Sequence, residues 1–329
     1  MMLTALWYRK NILVWCLWPI SILYRLVSAV RRLAYRRGWL PVYRAPVPVI
    51  VVGNLTVGGN GKTPVVIWLV EQLRQAGFRP GVVSRGYGGK SPYYPLRVES
   101  TTAASACGDE PKLIANRCGC PVVVAPRRSD AISCLLAAES VDVVISDDGL
   151  QHYAMARDIE LIVIDGERRF GNEHLLPMGP LRESLWRLHS ATAVLCNGGV
   201  PQPGEYAMAL EANMLCAVGV SDLAPPQPGD KVDAMAGIGH PPRFFTTLRQ
   251  LGFQLQQTVA FADHQACDVQ ALRQRFTQYP LLMTEKDAVK CRHDVPKNWW
   301  YLPVSARLPD ELIHRIIGKL KEQENGARS

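Results

Sequence analysis

The sequence predicts an α/β protein in which a mainly parallel sheet is covered by helices on both faces. Three observations carry this expectation. Short apolar, β-branched runs recur along the first two thirds of the chain, stretches with apolar residues at helical spacing separate them, and a glycine-rich loop joins the first such run to the first such stretch. Residues 47–52 read as a buried strand, and residues 63–77 as a helix ending at a glycine stop. Further strands are expected at 80–84, 121–125, 141–146, 161–165 and 191–196, with helices near 109–118, 129–139 and 181–189. The alternation breaks in the turn-rich stretch 198–204 and again at 224–229, where the domain junction is placed. Beyond it, segments 232–237, 241–251, 253–261, 269–276, 280–284 and 299–304 read as a second, smaller α/β unit, with a ligand cleft expected between the two. A length of 329 residues with 48% hydrophobic content suits two cored domains. The expected division is an N-terminal segment over 1–44, a nucleotide-binding domain over 45–204 and the smaller domain over 205–329.

The charge distribution sets the first segment apart. Residues 1–44 hold eight of the 37 Lys and Arg residues and no acid, so the remaining 29 basic residues balance all 29 acidic ones and the net charge of +8 lies in this segment. Four of the eight tryptophans and an apolar run over residues 12–24 are interleaved with these cations, which suits an anionic membrane surface better than nucleic acid. A spanning helix needs about 20 predominantly apolar residues. This run has 13, contains Pro19 and stops at Arg25, so insertion partway, or a helix lying flat, is expected, with a short snorkelling span and a helix packed on the protein's own core as alternatives. On a helical wheel Arg25, Arg32 and Arg36 fall on one side, with Leu26, Val30 and Leu33 toward the other. No small-residue cleavage site follows, only Arg31-Arg-Leu-Ala-Tyr-Arg-Arg37, which argues against a secretory signal. Nine cysteines without a regular framework point to reduced thiols in the cytoplasm.

The chemistry begins at Gly53-Asn-Leu-Thr-Val-Gly-Gly-Asn-Gly-Lys-Thr63, between strand and helix. Backbone N–H groups of Gly58, Gly59 and Gly61, together with the helix N-terminus, would surround the β- and γ-phosphates of a nucleotide; Lys62 adds a point charge and Thr63 a hydroxyl ligand for Mg²⁺. Thr56 and Asn60 belong to the same cradle. Glycine is required because a Cβ would hold the backbone away from the oxygens. Thr56 stands where the generic G-x-x-x-x-G-K-[ST] pattern has its first glycine, so the loop enters its turn differently. A second apolar run ends in Asp147-Asp148-Gly149, which places carboxylates beside a phosphate-bound Mg²⁺, although an Asp-Asp-Gly turn alone would look the same. The expected architecture is therefore a P-loop NTPase-like α/β/α core with a second, smaller α/β domain and an N-terminal membrane-associated helix.

Phosphoryl transfer also needs a base or orienting group for the acceptor. Gly108-Asp109-Glu110-Pro111 lies where a loop enters a helix, and Phe261-Ala-Asp263-His264 at a strand end in the second unit. There His264 would face Asp109 across the cleft and share or relay a proton, an arrangement suited to a sugar hydroxyl. Asp109 reads equally as a helix N-cap and His264 as a structural histidine. Arg127-Arg128 and Arg182 are candidates to neutralise phosphate charge.

These segments, with Ser84-Arg-Gly-Tyr-Gly-Gly89, Asp147-Asp-Gly-Leu-Gln-His152, Leu176-Pro-Met-Gly-Pro-Leu-Arg-Glu183 and Thr284-Glu-Lys-Asp287, resemble the tetraacyldisaccharide 4'-kinase family of Gram-negative bacteria. The resemblance spans nearly the whole chain, and Thr56 matches the family's own departure from the generic loop. It implies transfer of the ATP γ-phosphate to the 4'-hydroxyl of tetraacyldisaccharide 1-phosphate, giving lipid IVA at the cytoplasmic face of the inner membrane. The expected ligands are ATP, Mg²⁺, the lipid and an anionic membrane surface, with no nucleic acid and no obligate protein partner. By the same resemblance Lys62 and Thr63 contact phosphate and metal, Asp147 and Asp148 form the acidic Mg²⁺ pair, and Asp109 with His264 forms the base dyad. Glu110, Arg128, Gln151 and Arg182 match accessory polar positions, with Arg127 and Arg128 hard to distinguish because they are adjacent. It also implies two α/β/α units joined by a two-stranded linker, the last segment crossing back to the first. A membrane-bound switch ATPase would carry an extra lysine near the start of its loop, where Asn54, Leu55, Thr56 and Val57 supply none. A GTP-binding regulator would carry Asn-Lys-x-Asp, whereas residues 284–287 lack the asparagine.

Overall fold

The structure, a computed structural model, describes residues 7–8, 12–265, 267–291 and 294–328. A 3₁₀ turn over Ile12–Leu17 leads into α1 (Trp18–Arg36), followed by β1 (Val49–Gly53), α2 (Lys62–Gln75), β2 (Pro80–Ser84), β3 (Leu96–Arg97), α3 (Ala104–Cys107), α4 (Asp109–Cys118) and β4 (Val122–Val124). The middle of the chain forms α5 (Arg128–Ala138), β5 (Val143–Asp147), β6 (Ile159–Asp165), α6 (Arg187–Ser190), β7 (Ala193–Asn197), β8 (Glu205–Ala212), β9 (Cys216–Ala217) and β10 (Lys231–Ala236). The remainder forms α7 (Pro241–Gln250), β11 (Gln254–Ala260), α8 (Val269–Arg275), β12 (Leu281–Thr284), α9 (Glu285–Ala288), β13 (Trp299–Leu302), β14 (Val304–Arg307) and α10 (Asp310–Arg328).

These elements form two compact units. One comprises residues 1–85, 125–210 and 306–329, the other residues 86–124 and 211–305. Residues 86–124, expected within the nucleotide-binding span, thus lie with the second unit, because the chain leaves the first after β2 and re-enters it before α5. Strands β8 and β14 neighbour one another and carry the chain out of the first unit and back.

In the first unit the strand order β8-β7-β6-β1-β5-β2 is parallel throughout. Central β1 reads Val-Ile-Val-Val-Gly with every residue buried, the signature of a strand covered on both faces. Each such aliphatic side chain contributes about 1.5–3 kcal/mol of burial. Val52 pairs with Asp147, so the ends of β1 and β5 lie side by side and their following loops start from one edge. α10 buries the stripe Leu312, Ile313, Ile316 and Leu320. The second unit has the order β11-β10-β12-β13-β9, parallel except for β9, over cores that include Phe244, Phe245, Leu248 and Trp299.

The helix expected over 181–189 shortens to α6. The N–H groups of Leu181 and Arg182 bond to His174 and Leu55 carbonyls instead of carbonyls one turn back, so residues 181–186 follow other segments. α1 presents its polar side to the protein. Ser21 Oγ donates to the Leu175 carbonyl (2.9 Å), Tyr24 Oη to the Arg182 carbonyl (2.9 Å), and the Arg32 guanidinium lies 4.1 Å over the Trp186 ring. Ile20, Leu23, Leu26, Val27 and Val30 are all more than half exposed. The protein's own core therefore does not account for this apolar surface. Val14–Arg36 is long and apolar enough to cross a membrane by length and composition. Arg9 and Lys10 of the basic segment lie outside the described residues.

Candidate active site

In the first unit the loop after β1 is held from inside by asparagines. Fully buried Asn54 donates through Nδ2 to the carbonyls of Thr56 (2.8 Å) and Gly58 (3.2 Å), while its Oδ1 accepts from Lys62 Nζ (3.3 Å). Asn60 Nδ2 donates to Thr56 Oγ1 (2.9 Å), and Asn197, at the end of β7, donates to the Asn60 carbonyl (2.9 Å). Gly58 and Gly61 have φ of +112° and +91°, conformations that favour glycine, and a Cβ on Gly61 would come within 2.5 Å of Asn197 Nδ2. Thr56, the non-generic position, pairs with Leu181, and the Val57 N–H bonds to the Pro180 carbonyl (2.8 Å). The Gly179-Pro-Leu-Arg182 stretch thus zips onto the loop entry. Gly59 accepts from Arg168 Nη2 (3.0 Å), and Arg168 is also paired with Asp165. Thr63 is the second residue of α2 and half-buried.

Asp147 ends β5 and is buried, accepting from Ser84 Oγ at 3.4 Å. Asp148 has φ of +47°, an uncommon conformation outside glycine, and lies 3.5 Å from Lys62 Nζ and 3.2 Å from an Arg182 guanidinium nitrogen. Burial raises its carboxyl pKa, but Lys62 and Arg182 outweigh that and hold it below the ordinary value. Gln151 Nε2 donates to the Asn54 carbonyl (3.1 Å) and to Glu183 (3.0 Å), tying the loops after β1 and β5 together.

Arg128 is buried and directs its guanidinium to the main-chain carbonyls of Ala125 (3.4 Å), Asp147 (3.3 Å) and Asp148 (3.5 Å). Burial pushes its pKa down to about 10. Arg127 instead is 78% exposed and pairs with Asp130. Arg128 therefore shapes the Asp147-Asp148 turn. His152 accepts from the Arg128 N–H (3.4 Å), and burial reinforced by nearby arginines lowers its imidazole pKa to about 4. Thr63, Asp147 and Asp148 supply a hydroxyl and two carboxylates, the kind of oxygen donors that Mg²⁺ takes beside phosphates and water.

Asp109 and His264 belong to the same unit, not to two sides of a cleft. Asp109, the first residue of α4, is buried, and its Oδ2 lies 3.2 Å from His264 Nδ1 and 3.6 Å from Lys290 Nζ. Gly108, with φ of +95°, turns the chain into α4, and a Cβ there would come within 2.8 Å of the Tyr87 carbonyl. The Tyr87 ring meets the His264 ring edge-on at 4.9 Å. The hydrogen bond to Asp109 raises the His264 pKa against an opposing effect of burial. Glu110 Oε1 lies 3.7 Å from His264 Nε2 and 2.5 Å from Lys286 Nζ, which also meets Asp263 at 2.8 Å. Burial lowers the Lys286 pKa, but these two carboxylates more than reverse it.

The sequence reading missed Lys286 and Lys290. Residues 284–287 were visible as a motif, but only the fold brings them to the dyad. Buried Asp287 accepts from the Gly237 N–H (2.9 Å) and Thr284 Oγ1 (2.6 Å) and holds Lys290 (2.9 Å). Asn54, Asn197 and Arg168, which bond to main-chain carbonyls, and Glu183, which accepts from Gln151, Tyr153 and Arg187, were also missed, since such contacts carry no spacing signal.

The sequence profile described as Tetraacyldisaccharide-1-P 4'-kinase matches residues 13–321. The chain is 59% identical over 319 residues to the tetraacyldisaccharide 4'-kinase of Aeromonas salmonicida, covering 97% of this chain and 96% of that protein. It is 52% identical over 326 residues to the one of Vibrio cholerae, covering 98% and 97%. Among solved structures it is similar to LpxK of Aquifex aeolicus in complex with ATP, with a TM-score of 0.78 and 28% identity over 94% of this chain and 100% of that one. The chain belongs to the tetraacyldisaccharide-1-P 4'-kinase family.

Proposed function

We propose that this chain carries out its family's reaction, transfer of the γ-phosphate of ATP to the 4'-hydroxyl of tetraacyldisaccharide 1-phosphate to form lipid IVA. In the first unit, the N–H groups of Gly58, Gly59 and Gly61 and the Lys62 ammonium hold the β- and γ-phosphates, replacing the salt bridge Lys62 makes with Asp148. Thr63, Asp147 and Asp148 would hold Mg²⁺, which supplies charge neutralisation on the phosphate oxygens. Arg128 and Gln151 position the Asp147-Asp148 turn, and Arg182 is the cation available to phosphate beside it.

In the second unit Asp109 accepts the proton of the attacking hydroxyl. His264 orients that carboxylate and spreads the charge, and Glu110 contacts the far side of the imidazole. The observation that carries the assignment is the 3.2 Å contact between Asp109 and His264, because a hydroxyl acceptor needs a held base whereas a nucleotide switch does not.

The exposed apolar side of α1 and its flanking arginines favour attachment at the cytoplasmic face of the bacterial inner membrane, where an anionic lipid acceptor resides. A cavity of about 340 Å³ beside α1 is lined by Trp18, Ile22 and Leu185 together with Arg25 and Glu173. The test is transfer of radiolabelled γ-phosphate to purified tetraacyldisaccharide 1-phosphate in detergent micelles by wild type and Lys62→Ala. Labelled lipid from the wild type and none from the variant is the expected result. A folded, ATP-binding wild type that labels no lipid would overturn the assignment.

A further inference from the structure

Two thiols lie in contact beside the base dyad, and the kinase reaction uses neither. Cys267 is three residues after His264, just before Asp268, which caps α8 by accepting from the Ala271 N–H. Cys291 follows Lys290, in the turn after α9, with its N–H bonded to the Ala288 carbonyl. Their Sγ atoms are 2.6 Å apart, only about 0.6 Å longer than a disulfide bond of about 2.0 Å. Cys291 is buried, in reach of the Asp287 carbonyl (3.5 Å) and Met283 Sδ (3.9 Å), whereas Cys267 is half-buried and open to small molecules.

We propose that Cys267 and Cys291 form an oxidisable dithiol, a modification site that takes two-electron oxidants of the peroxide class and closes to a disulfide, with Cys267 the attacking and Cys291 the resolving thiol. The hydrogen bond between the two thiols lowers the Cys267 pKa against an opposing effect of burial and favours its thiolate; the same bond, together with burial, raises the Cys291 pKa. Asp287 and Asp268 oppose the Cys267 thiolate and Lys290 supports it. The Cys267 thiolate attacks one peroxide oxygen: an S–O bond forms, the O–O bond breaks, and the departing hydroxide takes up a proton to leave as water. Cys291, losing its proton, then attacks the sulfenic sulfur, forming the S–S bond while the S–O bond breaks and the hydroxyl leaves as a second water. Two thiols are oxidised and one peroxide is reduced to two waters.

The consequence is protective. The two sulfurs already lie close to bonding distance, so closure keeps Asp109, His264 and Lys290 in register and prevents a bulkier or irreversible adduct on Cys267.

The test treats the full-length kinase in micelles with hydrogen peroxide in the presence of glutathione, followed by peptide mapping and lipid phosphorylation. The wild type is expected to lose two hydrogens, to yield one linked peptide pair joining Cys267 to Cys291 that dithiothreitol separates, and to keep its kcat within about threefold, as a closure of well under 1 Å implies. Cys291→Ser is expected to take up one glutathione at Cys267 and to lose at least about tenfold in kcat, because the adduct sits next to the dyad. Cys267→Ser is expected to leave the buried Cys291 unmodified. The proposal is overturned if both thiols remain alkylatable after peroxide, if the link joins other cysteines, or if Cys291→Ser resists glutathione. The mapping does not depend on the roles of Asp109 and His264; a correct link with unchanged kcat in glutathionylated Cys291→Ser would reject the protective consequence.

Discussion

Gly61→Ala isolates how the phosphate loop is held. At φ of +91° an alanine costs about 1–2 kcal/mol of backbone strain. Its Cβ would also lie 2.5 Å from Asn197 Nδ2, so that amide must move and release the Asn60 carbonyl it holds at 2.9 Å. Asn60 and Asn197 are both buried, and leaving such a carbonyl unpaired costs about 1–3 kcal/mol, for a total near 2–5 kcal/mol. Gly58→Ala is the control, because φ there is +112° but a Cβ meets nothing within 4 Å, leaving strain alone. Urea unfolding monitored by tryptophan fluorescence, with ATP affinity from calorimetry, reads both variants. Gly61→Ala should be the less stable by about 1–3 kcal/mol and the weaker ATP binder. Equal losses in the two variants would refute the claim that the Asn197 bond, and not glycine's conformational freedom alone, sets the loop.

Asp109→Asn removes the partner that raises the His264 pKa, so NMR titration of that imidazole should show its midpoint falling; an unchanged or higher midpoint would sink the dyad. With the folded pKa above 6.5, His264 contributes stability that is fully present below the unfolded pKa and is lost as pH rises through the folded value, and Asp109→Asn should abolish that loss. The same variant should lower kcat by about 10²–10⁴ while leaving ATP affinity nearly unchanged; the reverse pattern would contradict a base role. Replacing Leu23, Val27 and Val30 together by serine should abolish sedimentation with anionic vesicles, since these exposed side chains make no core; retained sedimentation would place the membrane contact elsewhere.

Local chemistry determined much of this protein from sequence alone. The run of β-branched residues in β1, the glycines at 58 and 61, the carboxylates after β5 and the excess of cations before residue 45 each act within a few residues, so their meaning is written in the order of the chain. Only the tertiary structure decided which distant groups meet. His264 and Asp109 are 155 residues apart and join because α4 and the segment after β11 belong to one unit. Lys290, in the turn after α9, reaches Asp109, Lys286 within α9 reaches Glu110 and Asp263, and Arg128 bonds to main-chain carbonyls. Residues 181–186 read as helical yet are not, and the N–H groups of Leu181 and Arg182 bond to carbonyls in other segments. Hydrophobic periodicity reports which face of an element is buried. Hydrogen bonds and ion pairs between distant residues depend on where the chain returns, and spacing along it does not encode that.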